Sequence, residues 1–131
     1  MCYILYGALR GNIDAEEYKS IEDKYEIKFR LGTKHSVKMS AQNIDEKYRV
    51  TDWCCDCDSD LGKEDINALT LKEYETLFNE IRNIKGASHI YLCKTWTGKR
   101  NKKEIALNLN EINIKNVLAN LESNCLYTFV I

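Results

Sequence analysis

The 131-residue chain has no long hydrophobic run and almost no net charge. No stretch approaches the ~18 consecutive apolar residues of a membrane-spanning helix, and the opening segment MCYILYGALRG lacks the basic start and the length of a signal peptide. With 19 basic and 20 acidic residues, no overall electrostatic field favours nucleic acid or membrane. We therefore expect a cytoplasmic protein without a membrane partner, whose six cysteines are thiols or metal ligands and not disulfides.

The common catalytic signatures are also missing. The sequence contains no G-x-S-x-G, P-loop, G-x-G-x-x-G or H-E-x-x-H motif. The two histidines, His35 and His89, have no fixed spacing to a second catalytic group, so neither is given a chemical role. We expect no catalytic residues and no cofactor, and an enzyme is the less favoured class. Proline is absent as well, and the richness in Ile, Lys and Asn indicates an AT-rich genome, as in many low-GC bacteria and their phages.

Three helices are predicted from the residues that can cap their N-termini. Asp14 and Glu17 form a capping-box pattern before one helix, and Thr70 and Glu73 form another before a second. Asn110 can cap a third, shorter helix. Apolar runs and apolar–polar alternation predict strands at 2–9, 25–31, 35–39, 48–53, 88–96, 104–109 and 125–131.

From residue 48 onward the predicted elements follow the ferredoxin-like order β-α-β-β-α-β. We therefore predict the α+β class: one two-layer domain over residues 1–131, with a mostly antiparallel sheet and helices on one face. Segments 88–96 and 104–109 are expected to pair as a hairpin across the polar turn between them. A domain of this length can bury enough surface to fold without a metal or a disulfide.

The most specific stretch is DWCCDCDSDLG, at residues 52–62. Cys54 and Cys57 have the C-x-x-C spacing that presents two thiolates to one ion, and Cys55 and Asp56 are further candidate ligands. Zinc is the metal that such a site would take. The arrangement resembles that of ferredoxin-like heavy-metal carriers, which hold a C-x-x-C between a strand and a helix, although here a longer connection follows Cys57.

Three other interpretations of the same stretch remain open. Asp56, Asp58 and Asp60 have the 1-3-5 spacing of a calcium loop, but the glycine and the final glutamate of that motif are displaced or missing. Redox or nucleophilic chemistry is disfavoured, because the acidic neighbours oppose thiolate formation. The loop can also be purely structural, with some cysteines packed inward. The remaining thiols fall on predicted strands and are expected to be small core residues: Cys2, Cys93 and Cys125.

The charges are unevenly distributed and define two candidate partner-binding regions. The basic segment 94–103 is expected to form a hairpin tip that could dock on an acidic protein or stack and hold nucleic acid. Its candidate contact residues are Trp96, Lys99, Arg100, Lys102 and Lys103. The acidic counterpart is the stretch 52–65, with Asp58 and Asp60 as its candidate contact residues.

We accordingly expect a non-enzymatic module that binds another protein, of the immunity, inhibitor or regulatory type. The alternatives are a metal-binding or metal-sensing module that uses the Cys54–Cys57 loop, and a nucleic-acid binder that uses the 94–103 segment.

Overall fold

A computed structural model describes residues 3–25, 27–32, 37, 39, 44, 46–51, 56–57, 61–62, 68–96 and 101–131, with only the backbone of 68–70. The strands are β1 (Tyr3–Gly11), β2 (Arg30–Gly32), β3 (Ala87–Trp96), β4 (Lys103–Asn108) and β5 (Cys125–Val130). The helices are α1 (Ala15–Glu22), α2 (Ala68–Arg82) and α3 (Ile114–Ala119), and a 3-10 turn spans Glu46–Tyr48.

The five strands form one sheet in the order β2-β1-β3-β5-β4, which confirms the α+β class with a single sheet. The sheet is mixed and not mostly antiparallel, because β1/β2 and β4/β5 pair parallel while β1/β3 and β3/β5 pair antiparallel. The parallel pairs arise where a helix carries the chain back to the same end of the sheet, as α1 does between β1 and β2.

The ferredoxin-like order is not confirmed. That order requires β3 and β4 to be neighbours, but β5 lies between them. The predicted hairpin of 88–96 with 104–109 is therefore wrong: β4 pairs instead with β5, from Lys103↔Cys125 to Asn108↔Val130. Both segments do form strands, so the error concerns their pairing and not their conformation.

All three helices pack on one face of the sheet, as predicted. Their buried residues, among them Tyr18 of α1 and Leu118 of α3, share one apolar core with the facing residues of the strands. Phe78 of α2 lies at its centre, with its ring centroid 6.3 Å from that of Phe29 and 5.3 Å from that of Phe129, both edge-to-face. The core thus ties α2 to the middle of the sheet.

The second face of the sheet is covered over part of its width by residues between 37 and 50. The covered strand residues are Ile4, Tyr6, Ala8, Cys93 and Leu126. Met39 and Tyr48 pack on them, with Val37 and Ile44 at the margin. Tyr91 also packs against this second, smaller cluster. The part of the face around Arg10, His89 and Val130 has no such cover among the described residues.

Several local predictions need correction. Among the described residues of the predicted strand 25–31, only Arg30 and Leu31 pair in the sheet, as part of β2. Of the predicted strand 48–53, Tyr48 ends the 3-10 turn and Arg49 forms an isolated bridge to Tyr6, while residues 52 and 53 lie outside the described residues. Helix α2 begins at Ala68, before the predicted cap Thr70, and α3 is capped by Asn113 and not by Asn110. The predicted strand 35–39 falls largely outside the described residues.

The N-cap of α1 was predicted correctly and gives a direct test. The Asp14 Oδ1 atom accepts hydrogen bonds from the backbone N–H groups of Glu16 at 2.8 Å and Glu17 at 3.4 Å. We expect Asp14→Ala to lower the free energy of unfolding by about 1 kcal/mol, because these helix N–H groups lose their acceptor. Asp23→Ala, at the other end of α1, is the matched control and should change stability by less. Urea unfolding measures both; equal losses would show that Asp14 does not act as a cap.

Candidate functional site

Asp56, a residue of the stretch 52–62, is buried in the fold. Its side chain is 0% exposed. The carboxylate accepts a hydrogen bond from the backbone N–H of Leu5 at 2.8 Å and another from the Thr51 hydroxyl at 2.5 Å. The guanidinium of Arg49 lies 3.8 Å away and supplies the opposite charge. Both carboxylate oxygens are therefore engaged within the fold.

Val50, Asp56 and Cys57 supply hydrogen-bond partners beside the first half of β1. Strand β2 pairs only with Ala8–Arg10, so the preceding residues of β1 need other partners for their backbone groups. The carbonyl of Tyr3 accepts from the N–H of Asp56 at 2.8 Å, and the carbonyl of Leu5 accepts from the N–H of Val50 at 3.1 Å. The N–H of Tyr3 donates to the Cys57 Sγ at 3.3 Å. Asp56 and Cys57 thus close an open sheet edge.

The metal prediction for this loop remains untested. Cys54 and Cys55 lie outside the described residues, as do Asp58 and Asp60 of the calcium alternative. Within the part of the chain that the structure describes, no group of three or more His, Cys, Asp or Glu side chains could hold an ion. Cys57 and Asp56, the two predicted ligands that are described, each have the structural contact given above.

The predicted core cysteines are buried where they are described. Cys93 is 0% and Cys125 2% exposed. Burial raises the pKa of the Cys93 thiol to about 11, and burial together with the nearby Glu122 raises the pKa of Cys125. Both thiols therefore stay protonated at neutral pH, which suits small core residues. Cys2 lies outside the described residues.

The described ends of the basic segment 94–103 belong to β3 and β4, which do not pair with each other, so the predicted hairpin tip is wrong. Asn124, just before β5, has a positive φ of 60° and contacts both ends. The Asn124 carbonyl accepts from the N–H of Lys102 at 2.6 Å, its own N–H donates to the carbonyl of Lys94 at 2.8 Å, and its Oδ1 accepts from the N–H of Trp96 at 2.9 Å. One asparagine therefore fixes both ends of the segment.

The predicted contact residues of this segment have different environments. Trp96 is half-buried, with its ring edge-to-face against Tyr3 at 4.8 Å, so part of it belongs to the fold. Lys102 and Lys103 are exposed, and the Lys103 ammonium lies 3.2 Å from the Glu122 carboxylate. Lys99 and Arg100 lie outside the described residues.

The open half of the second sheet face carries two rows of side chains that the sequence did not identify. The strand register places the first row across β1, β3, β5 and β4 as Arg10, His89, Val130 and Asn108. The second row consists of Ala8, Tyr91, Thr128 and Ala106. We use the name platform for the members that are exposed or half-buried: Arg10, His89, Tyr91, Thr128, Val130, Ala106 and Asn108.

The platform is ordered by contacts among its own residues and by one with the neighbouring Ser88. The Arg10 guanidinium donates to the Tyr91 hydroxyl at 3.2 Å. The rings of His89 and Tyr91 are nearly parallel, with an interplanar angle of 13° and a centroid separation of 6.2 Å. The His89 Nδ1 lies 2.9 Å from the Ser88 hydroxyl. Val130 is the only large hydrophobic residue of the described chain that is clearly exposed, at 37%.

The platform has a single formal charge at neutral pH. Partial burial, and secondarily the charge of Arg10, hold the pKa of His89 below its ordinary value of about 6.5, so the imidazole is neutral at pH 7. Arg10 is then the one charged group. The sequence signal for this surface was the spacing of His89 and Tyr91 two residues apart on a strand, which places them on one face.

No family model matches the chain, and neither the curated proteins nor the solved structures give a significant match. Among the described helices, none has the length and apolar character needed to cross a bilayer.

Proposed function

We propose that this chain is a non-enzymatic module that binds another protein, of the immunity, inhibitor or regulatory type, and that the platform is its contact surface. The observation that supports this proposal is the shortage of charge on the platform. Charged residues make up 30% of the chain, yet Arg10 is the only one among the seven platform residues. The centres of protein interfaces are depleted of Lys, Glu and Asp, and enriched in aromatic residues and arginine.

The contacts within the platform support the same role. Tyrosine and arginine are among the residue types that contribute most to binding when they lie at the centre of an interface. Tyr91 is held by the hydrogen bond from Arg10, so its ring loses little conformational freedom when a partner covers it. Thr128 and Asn108 add hydrogen-bonding groups around the apolar centre at Val130.

A nucleic-acid binder is the second candidate. The nearly parallel rings of His89 and Tyr91 lie on the open sheet face, where unpaired bases can stack, and Arg10 could hold a phosphate. The basic segment 94–103 borders the other end of the sheet, where Trp96 pairs with Tyr3 and Lys103 with Cys125, and would be a separate contact. The metal-binding or metal-sensing alternative rests on the Cys54–Cys57 spacing alone and stays a prediction.

Photo-crosslinking from inside the platform tests the proposal and separates these candidates. A photoreactive amino acid replaces half-buried Thr128 in one variant, and exposed Asn79 on α2 in the control. In the cells that make the protein, we expect a protein adduct from position 128 and none from position 79. A nuclease-sensitive adduct from position 128 would assign the platform to nucleic acid. Equal yields from both positions, or no adduct from position 128, would contradict the proposal.

A substitution at the centre of the platform gives the matching energetic test. We expect Val130→Asp to reduce the yield of the position-128 adduct at least about tenfold, because it buries an unpaired carboxylate in the interface. The thermal unfolding midpoint should stay nearly unchanged, since Val130 is exposed in the folded chain. Asn79→Asp is the control for added charge. An unchanged adduct yield in Val130→Asp would remove the platform from the contact.

A further inference from the structure

The platform alone is too small for a specific protein interface. Four strands spaced about 4.8 Å apart make the platform about 19 Å wide. Its two rows take up four residues along each strand, about 13 Å at a rise of about 3.3 Å per residue, so its area is roughly 250 Å². A standard interface uses about 800 Å² on each partner. A partner held there must therefore contact adjoining surface as well, and the platform continues at Ala106 onto β4, the last strand of the sheet.

Strand β4 has a free outer edge. It is paired on one side with β5, and no other described strand lies beside it. The N–H of Leu109 donates to the carbonyl of Val130 at 2.9 Å. Because N–H directions alternate along a strand, the N–H groups of Ile105 and Leu107 point towards β5, and that of Ala106 points outward. The edge thus offers an unused backbone donor next to the platform.

The side chains of β4 favour the addition of another strand. Ile105 and Leu107 are only half-buried against the main core, and Ala106 on the opposite face is small and exposed. An added strand would cover both apolar side chains further without a steric obstacle at Ala106. Strand β4 contains neither proline nor a register shift, two devices that commonly block an edge.

The charge beside this edge indicates the chemistry of the added strand. Lys102 and Lys103 are exposed at the start of β4, Lys103 is paired with Glu122, and the sequence just before Lys102 contains Lys99 and Arg100. Extended segments that join a sheet edge gain affinity from backbone hydrogen bonds and specificity from alternate side chains. Acidic residues at the end of the segment nearest Lys102 would complement the positive charge.

We propose that the outer edge of β4 takes up an extended segment of the partner protein, with alternating apolar residues and acidic residues at the end that lies beside Lys102. This inference rests on the proposed function, since it concerns the same partner. The added strand would continue the sheet outward, so that platform and edge form one contact surface.

A displayed library of random peptides, each about twelve residues long, tests the edge whatever the identity of the partner. Selection on the wild-type protein should enrich peptides that alternate apolar residues and carry acids at one end. Hydrogen exchange of the wild-type protein with an enriched peptide should then show protection of the Ala106 amide. Absence of enrichment, enrichment of basic or non-alternating peptides, or an Ala106 amide without protection would each overturn the proposal.

The affinity of protein variants for the enriched peptide shows which residues contact it. Ala106→Pro removes the outward N–H without removing a ladder hydrogen bond, and should weaken peptide binding at least about tenfold. Lys102→Glu should weaken it about threefold to tenfold, and the control Lys19→Glu, on α1, should leave it unchanged. If Ala106→Pro does not fold, hydrogen exchange of the wild-type protein still shows whether the peptide binds at the Ala106 amide. Equal effects of Lys102→Glu and Lys19→Glu would contradict the charge complementarity.

The failure of this inference is distinguishable from the failure of the proposed function. A platform crosslink without any edge-binding peptide would refute the inference alone. Peptide binding at the edge without a platform crosslink would refute the platform as a contact surface, but the β4 edge would remain a binding site. Dimerisation that depends on Ala106 would assign the edge to a second copy and would also overturn the proposal.

Discussion

Asp56→Ala should lower the free energy of unfolding by about 3–5 kcal/mol, one of the two largest effects that we expect from a single substitution in this chain. The change removes the acceptor for the Leu5 N–H and the Thr51 hydroxyl, and it leaves the Arg49 guanidinium without the carboxylate that lies 3.8 Å away. A buried donor without an acceptor costs about 1–3 kcal/mol, and the half-buried Arg49 guanidinium also loses the attraction of a buried carboxylate. Urea unfolding in the presence of chelator and reductant measures the loss.

Two related variants divide this effect into its parts. Asp56→Asn retains one acceptor oxygen for the Leu5 N–H and should cost less than Asp56→Ala, because it removes mainly the charge beside Arg49. Thr51→Val removes only the hydroxyl donor and should cost about 1 kcal/mol. A loss below about 1 kcal/mol in Asp56→Ala would show that the loop does not support β1. A wild-type protein that unfolds in chelator alone would instead make a metal essential to the fold.

Phe78→Ala should destabilise the protein by about 3–5 kcal/mol, since it leaves a cavity among the rings that join α2 to the sheet. Phe78 is 0% exposed and makes edge-to-face contacts with both Phe29 and Phe129. Phe78→Leu, which retains most of the apolar volume, is the matched control and should cost clearly less. Thermal and urea unfolding compare the two. Similar losses in both variants would mean that shape at this position matters more than the volume that is removed.

The elements of the fold were predictable where the signal is local. The apolar run at 2–9 and the alternating segment 104–109 both became strands, and Asp14 caps α1 as its spacing from Glu17 indicated. The order of strands was not predictable in the same way. Segment 104–109 follows 88–96 closely in sequence, which favours a hairpin, but the third helix returns the chain so that β5 takes the place beside β3.

The role of Asp56 was not predictable because it depends on distant residues. In the sequence it is one acid among several cysteines, and that context suggests a ligand. In the fold it satisfies the backbone of Leu5, 51 positions away, at an edge that β2 leaves uncovered. The platform has the same difficulty: Arg10 and Tyr91 meet across 81 positions, and nothing in either neighbourhood indicates the other.

The antiparallel pairing of β1 with β3 also governs how the protein can fold during synthesis. It is the most extensive pairing of the sheet, from Tyr3↔Trp96 to Gly11↔Ala87. A ribosome that adds about 5–20 residues per second needs roughly 5–20 seconds to pass from β1 to the end of β3. For that time β1 is a nascent apolar segment without its main partner, open to chaperones and to aggregation. The contacts of Arg10 with β3 therefore form only after most of the chain has left the ribosome.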